Sequence, residues 1–458
     1  MFKKLKEGLR VSKGEFTEIR VEKAQRTNVK YEKDKLMNID SSEEVGGFVR
    51  TLVHGGWGIA TFNSLDEIPD KAKKAHSIGK EVSSHLEESI KLANIQTEKA
   101  ETRSDQIRDF RDVSLEEKRD TVKRYNRKML DYDDRIESTK AAYSDSFREL
   151  SYVNSQGTEL YQEIPDVTLY LVAIAKGEKN NIQTAHDSIG EAAGFELVQD
   201  KGEMAEDVAS QAVSLLSADP VKGGQYTVLL NPELAGVFIH EAFGHLCEAD
   251  HFYKNDRLQE IMTLGRKFGP ENLNVVDEGY IEGRRGNIPY DEEGVPRQKT
   301  YLIKDGKLNS FLHNRETAAK MGQVPTGNAR AISYRYEPIV RMTNTYIEAG
   351  EKSFEDLINS IDRGIYAKDA YGGQTQLEQF TFSAGHGFII EDGEIGPMVR
   401  DVVLTGNIFR SLENISGIGN DLDIIGSAGG CGKGGQMPLP VTDGSPHLRI
   451  EDVTIGGR

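Results

Sequence analysis

Through the first 60 residues apolar and polar side chains alternate, as in Phe16-Thr-Glu-Ile-Arg-Val-Glu22, and again over Thr27 to Leu36 and Phe48 to Val53. A period of two makes a half-buried strand, because successive side chains of an extended chain point to opposite faces. The last run turns through His54-Gly55-Gly56 into Trp57 to Phe62, which completes an antiparallel meander. The period then changes. Ser64-Leu-Asp-Glu67 is a capping box, and Ile68, Ala72, Ala75, Ile78, Val82, Leu86 and Ile90 follow at spacings of three and four, predicting one long amphipathic helix. A second box, Ser114-Leu-Glu-Glu117, opens a helix carrying Leu115, Val122, Tyr125, Met129 and Tyr132, on which the basic stretch Lys118 to Lys128 reads as a solvated face. These helices are expected to cover one side of the sheet.

Strand patterning returns near Glu149, with a Ser155-Gln156-Gly157 turn and the apolar run Val167 to Ala175. A third helix from about Glu203 carries Met204, Val208, Val213 and Leu216. Asp219-Pro220 through Gly223-Gly224 then reads as a linker, which divides the chain into an amino-terminal domain, 1–218, and a carboxy-terminal one, 219–458. In the second part short strands dominate, with hairpin signals at Asp305-Gly306 and Asp392-Gly393, one helix before residue 250 and another from Phe354 to Ile361. The expected class is α+β: an antiparallel sheet with long covering helices, then a mostly β domain carrying one chemically loaded helix.

That helix is well specified. The strand Tyr226 to Leu230 runs into Asn231-Pro232-Glu233, which supplies an N-cap side chain, a proline preset for the first helical position and an acid near the positive helix end. It leads into His240-Glu241-Ala-Phe-Gly-His245. Two imidazoles beside a glutamate follow metal-hydrolase logic, in which the histidines hold the ion and the glutamate moves a proton. The spacing of five is unusual. On an ideal α-helix it separates the two rings by about 140°, whereas a spacing of four leaves about 40°. A single π turn of roughly 4.4 residues brings the offset down to about 50°, so a local π-bulge is predicted across residues 240–245. A catalytic zinc usually takes three protein ligands, and the best further candidate is Cys431, in the glycine-rich Gly426-Ser-Ala-Gly-Gly-Cys431-Gly-Lys-Gly-Gly-Gln436. Cys247, His251, His386, His313 and His447 remain rivals. The same segment is not a phosphate loop: Ser427 and Gly434 stand where that loop needs Gly and Ser or Thr, and Pro438 and Pro440 block the helix it must open. The acidic turn Asp291-Glu-Glu-Gly294 is expected to be solvated.

Composition narrows the setting. The 458 residues carry 57 Lys plus Arg against 74 Asp plus Glu, a net charge of −17 that repels phosphate backbones and anionic lipid, so no direct nucleic-acid partner is expected. Two cysteines are too few for a disulfide framework and suit a reducing compartment. No run of about 18 apolar residues occurs, so no membrane span is expected and a cytoplasmic location is.

The blocks His240-Glu-Ala-Phe-Gly-His245 followed by Glu248 and Asp250, Pro289-Tyr-Asp-Glu-Glu-Gly294, Thr326-Gly-Asn-Ala-Arg330, Arg341-Met-Thr-Asn-Thr345 and Gly430-Cys-Gly-Lys-Gly-Gly-Gln436 stand in the order in which they occur in the TldD/PmbA family. The chain resembles the TldD branch of that family, metalloproteases also described as modulators of DNA gyrase. The resemblance implies zinc held by His240, His245 and Cys431, with Glu241 as catalytic acid/base. It further implies a dimer, with itself or with a PmbA/TldE-like subunit, that encloses a cavity where unfolded peptides are cut. The sequence departs from the family pattern at Ala331, where a second Arg is expected, and at His386, where an acid is common. Arg341 is expected to anchor a substrate carboxylate, and His386 to touch substrate.

The leading function is therefore a zinc peptidase acting on extended or unfolded peptides. Two alternatives remain open at this point. One is a non-catalytic assembly partner whose zinc is structural, with a closed four-ligand shell. The other is a thiol hydrolase with Cys431 as nucleophile and His386 as base.

Overall fold

The computed structural model describes residues 1–376 and 378–456. Its amino-terminal part is a seven-stranded, mostly antiparallel sheet in the order Gly56–Phe62, Lys35–Val53, Phe16–Glu32, Ile136–Asn154, Glu159–Lys176, with Lys99–Thr102 and Ile182–Glu191 both paired to Glu159–Lys176. The helices Ile68–Ser83, Leu115–Leu130 and Gly202–Leu215 pack on it. Ile19, Val21 and Val49 meet Ala72 and Ala75 of the first helix, and Leu169 and Leu171 meet Val122, Met129 and Val208 of the other two. The α+β class expected from patterning is the one observed.

The first helix is shorter than its periodicity suggests. A 3-10 turn, Leu65–Glu67, carries the complete capping box of Ser64 and Glu67, and the α-helix ends at Ser83. There the Ser83 and Ser84 hydroxyls donate back to the Lys80 and Glu81 carbonyls, and the chain bends so that Ile90 N–H reaches the Gly55 carbonyl. Leu86 and Ile90 therefore lie outside the helix. The second box is half made: Ser114 Oγ accepts from Glu117 N–H, but the Glu117 carboxylate takes the Arg108 guanidinium instead. Leu115 and Tyr132 are exposed. Lys118 is not part of a wet face; it is buried and donates to Asp145 at 2.6 Å.

Polar positions of the alternating strands are buried too. Glu18, Arg20 and Glu22 point away from the helices and against the carboxy-terminal part, where Arg50 pairs with Glu18 and with Glu293, both at 2.7 Å. Arg20 reaches Glu292 at 2.9 Å, and Arg148 reaches both Glu22 and Glu292. The turn Asp291-Glu-Glu-Gly294 is thus not solvated, as its composition suggested, but lies at the centre of this ionic layer. Asp291 accepts from the N–H groups of Glu293, Val295 and Ala329, and Tyr152 donates its hydroxyl to the Glu293 carbonyl.

The carboxy-terminal part holds two main sheets. In the larger, Arg363–Gln376, Gly224–Leu230, Leu448–Gly456, Val403–Asn407 and Gln379–Glu391 are successive neighbours, and pairing of Arg363–Gln376 with Gln379–Glu391 closes the five into a ring. In the smaller, Val275–Glu278, Asn344–Ile347, Thr442–Ser445 and Asp423–Ile425 lie side by side. Both hairpin signals are realised, with Asp305 and Gly306, and likewise Asp392 and Gly393, at positive φ. One helix, Pro232–Ile239, runs between the sheets and packs on Thr442–Ser445 and Arg363–Gln376. Among the described residues no helix is long and apolar enough to cross a membrane.

Candidate metal centre

The Gly224–Leu230 strand delivers the chain to Asn231, whose Oδ1 caps the helix by accepting from Leu234 N–H at 3.1 Å, with Pro232 at the first helical position. The helix has an apolar, almost wholly buried body, Leu234, Ala235, Phe238 and Ile239, so its rotation is fixed by packing. At His240 the backbone widens into a π turn, His240–Gly244, followed by a 3-10 turn, His245–Cys247. The turn closes the angular gap that five residues would otherwise leave: the His240 and His245 ring centroids are 5.1 Å apart.

Cys431 comes from a different part of the chain. It opens the hairpin formed by Cys431–Lys433 and Gln436–Leu439, whose turn residues Gly434 and Gly435 have φ of +58° and +74° and so require glycine. Two buried arginines hold this hairpin. Arg341 donates to the Cys431 carbonyl at 2.7 Å and to that of Gln436 at 3.3 Å, and Arg330 donates to the Pro440 carbonyl at 2.6 Å. The position of Arg341 corrects its expected role. Fully buried and committed to main-chain oxygens, it is a support for the thiol and not an anchor for a substrate carboxylate.

The three side chains converge. One nitrogen from each of His240 and His245 and the Cys431 sulfur lie within 4.8 Å of one another, the Sγ to His245 Nε2 distance being 3.5 Å. A tetrahedral ion with bonds of ~2.0–2.3 Å sets its donors roughly 3.3–3.8 Å apart, so small side-chain adjustments suffice. Two imidazoles and a thiolate form a borderline-soft set suited to zinc. Burial opposes ionisation of Cys431, yet the imidazoles of His240 and His245 bring its thiol down to about 5, within reach of the thiolate a metal needs. Burial also opposes charge on His240, but Asp443 and Cys431 outweigh it and hold the imidazole well above its usual range. His245 is likewise lifted, to about 10, by Glu248 and Cys431.

Glu241 sits at the edge of this group, with Oε2 4.0 Å from His245 Nε2. Burial raises its carboxyl above the usual range in spite of the two histidines. It borders two cavities. The larger, about 710 Å³, is also lined by His240, Cys431, Glu233 and Tyr371, with Val29 and Tyr143 of the amino-terminal sheet forming a far wall. The other, about 650 Å³, contains His245, His251 and Gly432 in its walls. The donor group therefore lies between two spaces, and Glu241 faces both.

The rivals are elsewhere. Cys247 is packed in the apolar core, where burial pushes its thiol well up. His251 lines the second cavity, with burial lowering its imidazole. His313 contacts Thr317, and burial lowers its imidazole to about 4. His447 lies between Asp421 and Tyr366. His386 bonds Gln211 at 2.7 Å and Asp369 at 3.2 Å; it does not join the donor group and is not placed to serve Cys431 as a base. Three neighbours of the donor group were given no role by the sequence. Asp443 lies 2.6 Å from His240 Nδ1, Glu248 lies 3.0 Å from His245 Nδ1, and Lys433 reaches Glu248 at 3.0 Å. Glu248 was discoverable, since three residues after His245 is one turn away. Asp443 left no local signal.

Three family profiles match the chain: PmbA/TldA metallopeptidase domain 1 over residues 17–79, the central domain over 108–216 and the C-terminal domain over 223–457. A metalloprotease of Synechocystis sp. is 39% identical over 97% of this chain and 96% of its own length. A zinc metalloprotease TldD homolog of Saccharolobus solfataricus is 31% identical over 70% of this chain and 72% of its own. Among solved structures, a Thermotoga maritima protein described as a putative modulator of a DNA gyrase matches with a TM-score of 0.79 at 22% identity, and TldE from Thermococcus kodakarensis with 0.77 at 19%. Each covers 100% of both chains.

Proposed function

This chain belongs to the PmbA/TldD metallopeptidase family, and on that basis and the convergence of His240, His245 and Cys431 beside Glu241 we propose that it is a zinc peptidase for extended or unfolded peptides. His240, His245 and Cys431 would hold the ion. Bound there, zinc supplies Lewis-acid polarisation of the scissile carbonyl and eases deprotonation of water near neutral pH. Glu241 takes the proton from the attacking water and returns it to the leaving amine. Its position supports this role, since it reaches the donor group and both cavities.

The strand Arg363–Gln376 pairs along one edge with Gln379–Glu391, while its other edge pairs with Gly224–Leu230 only over residues 364–367. Tyr371 to Thr375 therefore present an edge beside the two cavities. An extended peptide would add there through main-chain hydrogen bonds, which suits a sequence-tolerant enzyme. The donor group has three members among the described residues, which supports an open coordination position over a closed structural one. Enclosure of the cavity by a second subunit, either another copy or a TldE-like protein, is part of the same proposal, and sedimentation of the chain alone and with such a protein tests it.

The deciding experiment measures bound zinc and cleavage of an unfolded peptide on the same samples. Glu241→Gln is expected to keep about one zinc per chain and lose cleavage by roughly 100-fold or more. Cys431→Ala is expected to lose both. Full activity in zinc-loaded Glu241→Gln overturns the assignment of the acid/base, and zinc retained by Cys431→Ala overturns that of the ligand.

A further inference from the structure

The glycine-rich hairpin brings more than a thiol to the site. Cys431 and Lys433 are two residues apart on one strand, and the Lys433 side chain is buried, 5% exposed. Its ammonium has three partners: Glu248 Oε2 at 3.0 Å, Asp250 Oδ1 at 2.6 Å and the Val340 carbonyl at 2.7 Å. Glu248 is wholly buried, and the same Oε2 accepts from His245 Nδ1 at 3.0 Å. On the far side of that ring, Nε2 faces Cys431 Sγ. Lysine, glutamate, imidazole and sulfur thus form a closed circuit that begins and ends on the hairpin.

We propose that Lys433 and Glu248 are positioning residues for the metal centre, Lys433 balancing the buried carboxylate that fixes His245 with Nδ1 protonated and Nε2 presented to the ion. The proposal rests on reading the three-residue group as a metal site. An imidazole that binds through Nε2 must keep its proton on Nδ1, and a carboxylate acceptor there sets both tautomer and ring orientation. That carboxylate is itself a buried charge, which is tolerated only with a partner. Lys433 is the partner, and Asp250 and the Val340 carbonyl leave its ammonium little freedom to turn elsewhere. Because one short strand carries both the sulfur ligand and the cation, the hairpin cannot shift without disturbing His245 as well as Cys431. His240 stands in a different arrangement: its Nδ1 lies 2.6 Å from Asp443, which faces the larger cavity and, among the described residues, forms no salt bridge to a lysine. The two histidines therefore differ, His245 oriented by a buried ion pair beside the smaller cavity and His240 set against a carboxylate that lines the larger one.

The test titrates the metal-free protein with zinc against a competing chelator dye, and with Co²⁺ while recording the thiolate charge-transfer band and the ligand-field bands. Lys433→Met is expected to weaken binding 10- to 100-fold, the range for loss of a partner that orients a ligand. In Glu248→Gln the amide oxygen still accepts from Nδ1 and carries no charge to balance, so its loss is expected to be smaller. The double variant Lys433→Met/Glu248→Gln is expected to recover to within about threefold of Glu248→Gln, with the ligand-field bands of the wild type restored. That recovery also guards against Lys433→Met having merely failed to fold. Binding by Lys433→Met within threefold of wild type overturns the proposal, and so does a double variant no better than Lys433→Met. Wild-type protein that binds no metal, or binds it unchanged in Cys431→Ala, brings down the metal-site reading itself, and this inference with it.

Discussion

Glu233 shows what one buried carboxylate contributes at the wall of the larger cavity. Burial, and then repulsion from Asp369 and Asp187, raise its pKa to about 8. A folded-state value above the ordinary 4.5 means that the native state holds this proton more tightly than the unfolded chain does. The resulting stabilisation is complete below about pH 4.5 and is lost as the pH rises through about 8. Glu233→Gln removes the titration, so its melting temperature relative to wild type should climb between those two values and level off above them. Melts of both proteins across that range check this, and a pH-independent difference refutes it. Legibility at this scale followed locality. His240, Glu241 and His245 were readable because their relation is set by one helix and one π turn, and Cys431 became so through the blocks around it. Arg341 was misread because an arginine's partners depend on the fold; here they are the carbonyls of the hairpin. Asp443 was invisible because it meets His240 only through the packing of Pro232–Ile239 on Thr442–Ser445.

Elements meet most tightly where that helix crosses that strand. A Cβ built on Gly236 would stand 2.9 Å from Gly444 N, closer than real side chains approach backbone, so the pair lets the helix settle on the strand and brings Asp443 to His240. Gly236→Ala should cost about 1–3 kcal/mol in denaturant unfolding, as overpacking does, and weaken zinc binding by lifting His240 from Asp443. An unchanged midpoint and unchanged zinc affinity would show that the contact has slack. Hairpins were the most legible elements, because Asp-Gly at two positive-φ positions leaves the chain few alternatives. The helix from Ile68 was read too long because three-and-four spacing continues past Ser83 after the hydroxyls of Ser83 and Ser84 have turned back on the preceding carbonyls.

The ionic layer decides how the whole molecule holds together. Arg50 lies between Glu18 of the sheet and Glu293 of the carboxy-terminal part, nearly inaccessible to water. Arg50→Met leaves two buried carboxylates without their shared cation, and is expected to destabilise the protein by about 3–5 kcal/mol. Because the sheet supplies a wall of the larger cavity, peptide cleavage should also fall while zinc content is kept. Chemical denaturation, limited proteolysis and zinc analysis test this together, and wild-type stability in the variant would show the layer to be dispensable. From sequence, alternation in Phe16 to Glu22 said only that one face is polar. It took the second half of the chain to show that the polar face is covered.

The donors of the candidate metal centre are widely separated in the chain, His245 and Cys431 being 186 positions apart, and the strand Leu448–Gly456 that lies beside Gly224–Leu230 comes later still. During synthesis the histidines emerge long before the sulfur that completes their set, and the sheet that steadies them cannot close until the final strand slots into its middle. Under the peptidase proposal, a growing chain, itself unfolded polypeptide, thus carries no finished blade while it is most vulnerable to one.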